Sequence, residues 1–168
     1  MRRIILGVIS IVSAAICVAA DTSWDFLKGV KAIDVEIDYH QAIINNLNET
    51  EFVQYYSQYI QQEDWYPSAQ RRWKKEFLGE FADETMEKHC LVGDIPSAKI
   101  KLLITLLSST DSGNLVSTIA FIDKESNTTL KTMEVKSKGG HLGGIISLIS
   151  DGFEHLGEDL GRQVRKHL

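Results

Sequence analysis

A strict alternation of apolar and polar residues between Lys31 and Tyr39 constrains the fold more than any other feature of the chain. The odd positions hold the apolar residues Ile33, Val35, Ile37 and Tyr39, and the even positions hold the acidic residues Asp34, Glu36 and Asp38. Successive side chains of a strand point to opposite faces of the sheet. The pattern therefore predicts a strand with one buried face and one acidic, solvated face.

Three further segments have strand character, and all of them lie in the second half of the chain. They are Lys99–Leu107, Asn114–Asp123 and Thr129–Lys138. Turn residues separate them, Asp111-Ser112-Gly113 in the first link and Lys124–Thr128 in the second. Short links between successive strands predict an antiparallel meander.

Three amphipathic segments predict helices. The first begins at the N-cap Asn48, with Glu51 in the capping-box position, and ends near Gln62. The second has Pro67 in its first turn and ends around Glu87. The third follows Gly144. Their apolar stripes are Phe52, Tyr55, Tyr56 and Tyr59; then Trp73, Phe77 and Phe81; then Ile145, Ile149, Phe153, Leu156, Leu160 and Val164.

The order of these elements is strand, helix, helix, three strands, helix. A long helical connection between the first two strands suits a parallel crossover. Pairing of those two strands would also place the acidic row beside Lys99 and Lys101, and opposite charges on neighbouring strands attract. The sequence thus predicts an α/β (α+β) two-layer sandwich with a four-stranded mixed sheet and helices on one face.

The first twenty residues have the composition of an export signal. Arg2 and Arg3 precede an apolar run from Ile4 to Ile16, and small residues at 18–20 come just before Asp21. This pattern predicts a signal peptide over residues 1–20, cleaved after Ala20, and one exported domain over residues 21–168. The predicted location is the periplasm or the extracellular space of a bacterium.

Two alternative interpretations of the N-terminus remain open. An uncleaved membrane anchor needs about twenty apolar residues, and the run here is shorter and contains serines. A lipoprotein would begin at Cys17, but Ile16 is bulky where that peptidase requires a small residue. A cleaved signal with no membrane span in the mature chain is the favoured interpretation.

Charge and cysteine content exclude several classes of protein. Removal of two arginines with the signal changes the net charge from −5 to −7, which argues against a nucleic-acid binder with a basic face. Cys90 is the one cysteine after the signal, so no internal disulfide is expected. Asn48 and Asn127 each begin a glycosylation sequon, which has little meaning in a bacterium.

Several residues invite a chemical interpretation, and each has a structural alternative. The glycines between Gly139 and Gly144 precede a helix, yet without a phosphate-loop Lys they are read as turn and packing residues. Asp151 and His155 lie one helical turn apart, a spacing common among exposed pairs. No serine sits in a nucleophile elbow, and Glu63, Asp64 and the acidic row are read as solvated carboxylates. We therefore expect no catalytic, cofactor or metal site, and no enzyme.

Two residues are expected to form a ligand or partner surface. Trp65 and Tyr66 lie on the connection between the first two helices, where they can remain exposed and stack on a sugar or a protein. A second candidate is the basic C-terminal cluster of Arg162, Arg165, Lys166 and His167. These cations are better explained by the negative end of the helix dipole than by a membrane surface.

Parts of the chain resemble a known group of proteins. The residues are Asp64-Trp65 followed by Arg72, Phe77 and Phe81, and then a strand entering Ile122-Asp123, a Gly-Gly end and the glycine-containing helix Phe153–Leu168. Together they resemble small uncharacterised exported proteins of Bacteroidetes, whose domain is similar to the N-terminal α/β domain of TolB and of curli-secretion proteins. The resemblance implies an envelope setting and the same fold, and it brings no catalytic residue.

The sequence is compatible with three candidate functions. The leading one is an exported cell-envelope domain that acts through a non-catalytic contact with an envelope protein or ligand. The alternative is a glycan or small-amphiphile binding module that uses the Trp65–Tyr66 region. The third is a hydrolase with an unrecognised site.

Overall fold

The computed structural model describes residues 23–168 as a mixed α/β fold. A short 3-10 helix at Asp25–Leu27 comes first. The remaining elements are, in chain order, β1 (Ala32–Asp38), β2 (Ile43–Ile44), α1 (Glu49–Tyr56), α2 (Trp65–Met86), β3 (Leu91–Gly93), β4 (Ile100–Ser109), β5 (Leu115–Asp123), β6 (Thr128–Ser137) and α3 (Ile145–Arg165).

The sheet confirms the predicted mixed topology and has two more strands than expected. Its order is β3-β1-β4-β5-β6, and β2 pairs with β4 off this path. β1 runs parallel to β4, whereas β4, β5 and β6 form the predicted antiparallel meander. The prediction of four strands was wrong because β2 and β3 are two and three residues long. Segments this short contain no measurable alternation.

The charges expected to join β1 to β4 are present in a different arrangement. Lys101 lies opposite Asp34 in the register but forms its ion pair with Glu36. The Asp34 carboxylate instead accepts hydrogen bonds from the Ile95 amide at 2.9 Å and from Lys124 Nζ at 2.7 Å. Burial by itself raises the pKa of Asp34, but these two donors outweigh it and hold that pKa below its usual value.

The core lies between the sheet and a pair of long helices. Alternate residues of β1, β4 and β5, among them Val35, Leu102 and Ile119, are buried beneath the helices. Trp73 on α2 connects the helices, because its indole Nε1 donates to the Ile146 carbonyl at 3.0 Å and its ring stacks on Phe153. The two-layer sandwich predicted from the sequence is confirmed.

Glycines on α3 allow it to approach α2 closely. A Cβ added at Gly157 would lie 2.4 Å from the Phe77 carbonyl oxygen, and one added at Gly161 would lie 2.7 Å from Glu84 Cβ. No side chain can occupy the Gly157 position without moving a helix, so the distance between the helices depends on this glycine.

The boundaries of α1 and α2 differ from the predicted ones. The capping box at Asn48 is confirmed, with both Asn48–Glu51 hydrogen bonds at 3.0 Å. However, α1 ends at Tyr56 and not near Gln62, and the chain continues in a turn in which the Ile60 amide donates to the Tyr56 carbonyl at 3.0 Å. α2 begins at Trp65, two residues before Pro67.

The predictions for the N-terminus fall outside the described region. The signal peptide, its cleavage after Ala20 and the alternative start at Cys17 all concern residues before Ser23. Within residues 23–168, no helix combines the length and apolar character needed to cross a membrane.

Candidate partner-binding surface

Trp65 and Tyr66 do not form the exposed surface that the sequence suggested. Their side chains are only 5% and 8% exposed, and both rings pack against Phe52, with centroids at 5.9 and 6.1 Å. Trp65 Nε1 donates to Ser57 Oγ at 2.9 Å. The expectation of exposure was wrong because α2 starts at Trp65, so both rings belong to a helix turn packed beneath α1 and not to a loop.

The exposed aromatic residues are instead tyrosines at the end of α1. Tyr55 is 46% exposed and Tyr59 is 67% exposed, although the sequence placed both on an inward-facing stripe. The Tyr55 ring lies 5.0 Å from Tyr56 and 5.5 Å from Tyr59, centroid to centroid. A hydrogen bond between the two exposed hydroxyls raises the pKa of Tyr59. We call Tyr55, Tyr56 and Tyr59 the tyrosine surface.

A groove connects the tyrosine surface to the start of α3. Its volume is about 230 Å³, and it is lined by Tyr56, Ile60 and residues 144–147. The bond from Trp73 to the Ile146 carbonyl fixes one wall of the groove to the core. An apolar groove beside rigid aromatic rings can accept an aliphatic or aromatic side chain of another molecule.

A second, more polar pocket lies on the other flank of α1. It is lined by Glu49, Thr50, Val53, Gln54 and Tyr66 and has a volume of about 470 Å³. The hydroxyl of Tyr66 is buried there, and burial together with the nearby Glu49 carboxylate raises its pKa. The pocket therefore offers the Glu49 carboxylate and the Gln54 amide to a ligand with hydroxyl groups.

The structure gives packing roles to the other candidate residues. His155 Nδ1 donates to the Lys138 carbonyl at 2.8 Å. A Cβ at Gly140 would lie 1.8 Å from Asp151 Oδ2, and one at Gly139 would lie 1.9 Å from the Ser112 carbonyl. Asp151 and His155 thus contact the Gly-rich link separately, and Gly139 and Gly140 permit close packing, as the sequence indicated.

Two of the four basic residues at the end of α3, Arg162 and Arg165, form ion pairs with the neighbouring helix. Arg162 Nε lies 3.2 Å from Glu84 Oε1, and Arg165 Nη1 lies 3.0 Å from Glu84 Oε2. Both arginines thus neutralise a largely buried carboxylate of α2. They are less available to a membrane surface than the sequence allowed.

Residues 23–168 contain no group of three or more His, Cys, Asp or Glu side chains placed to hold a metal ion. Cys90 is buried beside Leu91, and burial raises the pKa of its thiol. A thiol with a raised pKa is a poor nucleophile and a poor ligand at neutral pH.

Comparison with known proteins gives remote structural similarities at low sequence identity. No family model matches the sequence, and no curated protein sequence matches it. The PelC dodecamer from Paraburkholderia phytofirmans has 11% identity and a TM-score of 0.44, covering 77% of this chain and 87% of PelC. A substituted PelC from the same organism has 13% identity and a TM-score of 0.42, covering 80% and 88%. A DUF330 protein from Xanthomonas campestris has 7% identity and a TM-score of 0.34, covering 46% and 51%.

Proposed function

We propose that this protein is an exported cell-envelope domain that acts by binding, without catalysis, and that the tyrosine surface makes the contact. The N-terminal sequence, with two arginines, an apolar run and small residues before Asp21, supports export. The observation that carries the binding proposal is the exposure of Tyr55 and Tyr59 beside an apolar groove. The partner expected from this surface is an envelope protein.

The chemistry of the tyrosine surface favours a protein contact. Tyrosine offers a rigid apolar ring with a polar end, and it is enriched at interfaces for that reason. The rings are held in contact with one another, and Tyr56 also packs on the buried Phe52. Little side-chain freedom is therefore lost when a partner covers them, which lowers the entropic cost of binding.

The test is a binding measurement with the purified exported protein and envelope membranes of the producing bacterium. A fluorescently labelled protein should bind saturably, and the Tyr55→Ala/Tyr59→Ala double variant should bind at least about tenfold more weakly. Both side chains are exposed, so the double variant should keep the unfolding midpoint of the wild type.

A matched control is available elsewhere on the molecule. Met86 and Leu91 are 64% and 69% exposed, and the Met86→Ala/Leu91→Ala variant removes similar apolar area away from α1. It should bind like the wild type. Equal binding by the tyrosine variant and the wild type, or equal loss in both double variants, would refute the tyrosine surface as the contact.

A second candidate function is binding of a glycan or small amphiphile in the Glu49–Tyr66 pocket. The observation that favours it is a pocket of about 470 Å³ lined by Glu49, Gln54 and Tyr66, a volume within the range of small-molecule sites. In this version the Glu49 and Gln54 side chains, and not an exposed aromatic ring face, contact the ligand.

Calorimetric titration with envelope oligosaccharides distinguishes the two candidates. Glycan binding in the pocket predicts that Gln54→Ala weakens binding, whereas Tyr55→Ala/Tyr59→Ala leaves it unchanged. The protein-contact proposal predicts the opposite response in the membrane assay. No heat of binding with any oligosaccharide would exclude the second candidate for those ligands.

A further inference from the structure

The β6 strand leaves one edge of the sheet open along its second half. β6 ends the strand order, and from Met133 to Ser137 it is paired with β5 alone. No further backbone hydrogen bond within residues 23–168 involves this stretch. Such an edge presents a row of amide and carbonyl groups to which an extended segment can add.

The opposite edge of the sheet is less suited to pairing. β3 covers only Ala32–Asp34 of β1, and the uncovered part of β1 contains the acidic Glu36 and Asp38. Two copies meeting there would place carboxylates side by side. β6 has no proline or glycine, and its register with β5 runs without interruption from Lys131 to Ser137.

The charges of β6 allow it to pair with a second copy of itself, and they favour one register. Glu134 and Lys136 are exposed on the open face, and Lys136 Nζ lies 3.9 Å from Glu134 Oε1. In an antiparallel pair of identical strands, a two-fold axis through Glu134 or Lys136 sets like charges opposite each other. An axis through Val135 sets Glu134 of each copy opposite Lys136 of the other, so that two oppositely charged pairs form across the interface.

We propose that a second copy of this chain pairs with β6 in antiparallel fashion along Glu134–Lys136, with Val135 on the two-fold axis. The two six-stranded sheets then join edge to edge, and the helices of both copies stay on one side of the joined sheet. α1 lies by β2, on the side of β4 away from β5 and β6, so the tyrosine surface stays outside this interface.

The test uses the exported protein in sedimentation equilibrium, with charge variants that fold because the substituted side chains are exposed. The wild type should dimerise at concentrations up to about 100 µM. Glu134→Lys and Lys136→Glu each create two like-charged contacts and should each raise the dimer dissociation constant about tenfold. The double swap, with both substitutions in one chain, restores opposite charges and should return the constant to near the wild-type value.

Mixing the two single variants supplies an internal control. One variant has Lys at both positions and the other has Glu at both, so the mixed dimer should form in preference to either homodimer. A monomeric wild type overturns the proposal. So does a dimer whose dissociation constant neither single substitution changes, or one that the double swap fails to restore.

Discussion

Replacement of Gly157 by Ala tests the contact between α2 and α3. The new methyl group would lie 2.4 Å from the Phe77 carbonyl oxygen and 3.2 Å from Glu80 Cβ. A carbon and an oxygen in contact normally lie well over 3 Å apart, so the helices must separate by about 1 Å along this line. α3 cannot yield locally, because the contact is with backbone and not with the end of a flexible side chain.

Gly157→Ala has two opposing effects on the free energy of unfolding, and the two differ in size. Alanine favours a helix over glycine by about 1 kcal/mol. Overpacking of a close contact costs about 1–3 kcal/mol, and a backbone contact belongs at the upper end of that range. We therefore expect the free energy of unfolding to fall by about 1–2 kcal/mol. Gly79→Ala on α2 supplies the control, because no atom lies within 4 Å of the added methyl and only the helix preference operates.

Urea denaturation followed by circular dichroism measures both effects. Gly79→Ala should raise the free energy of unfolding by about 0.5–1 kcal/mol, so the two variants should shift the midpoint in opposite directions. A Gly157→Ala protein as stable as Gly79→Ala would show that the helices are not held at this distance, and the reasoning about their packing would fail.

Three further predictions concern single contacts. Trp73→Phe removes the donor to the Ile146 carbonyl and should lower the free energy of unfolding by about 1–3 kcal/mol; an unchanged urea midpoint would contradict this. Asn48→Ala breaks the capping box and should cost about 1 kcal/mol, whereas Asn48→Asp should retain most of the stability. Asp34→Asn should lower the free energy of unfolding at pH 7. Because the pKa of Asp34 is lowered in the folded protein, its carboxylate stabilises the fold at pH values above its usual pKa of about 3.9, and this stabilisation is lost when the carboxylate is protonated. The difference in stability between the variant and the wild type should therefore shrink as the pH falls below about 4. A difference independent of pH would contradict the assigned role of that carboxylate.

Strands with regular alternation were predictable from the sequence, and their positions agree with the structure to within two residues. β1, β4 and β5 each have one buried face and β6 has a partly buried one, so burial imposes a period of two on their composition. β2 and β3 are defined by backbone pairing with strands distant in sequence, at Ser108–Ser109 and Ala32–Asp34. Such short pairing leaves no pattern in the local sequence.

The tyrosine surface was missed because helical spacing does not say which face of a helix is buried. Phe52, Tyr55, Tyr56 and Tyr59 fit one stripe, yet Phe52 alone is fully buried. A signal was available in the neighbourhood, since most residues around the tyrosines are polar, namely Gln54, Ser57, Gln58, Gln61 and Gln62, and the apolar ones are Val53 and Ile60. Burial of all three tyrosines is less expected in so polar a segment.

Hydroxyl-radical footprinting of the free and the membrane-bound protein tests the central claim most directly. In the free protein, we expect strong oxidation of Tyr55 and Tyr59 and weak oxidation of Trp65 and Tyr66, in keeping with their burial. Binding to envelope membranes should protect Tyr55 and Tyr59 and leave Met86 unchanged. Strong oxidation of Trp65 in the free protein, or tyrosines equally oxidised in both states, would contradict the account.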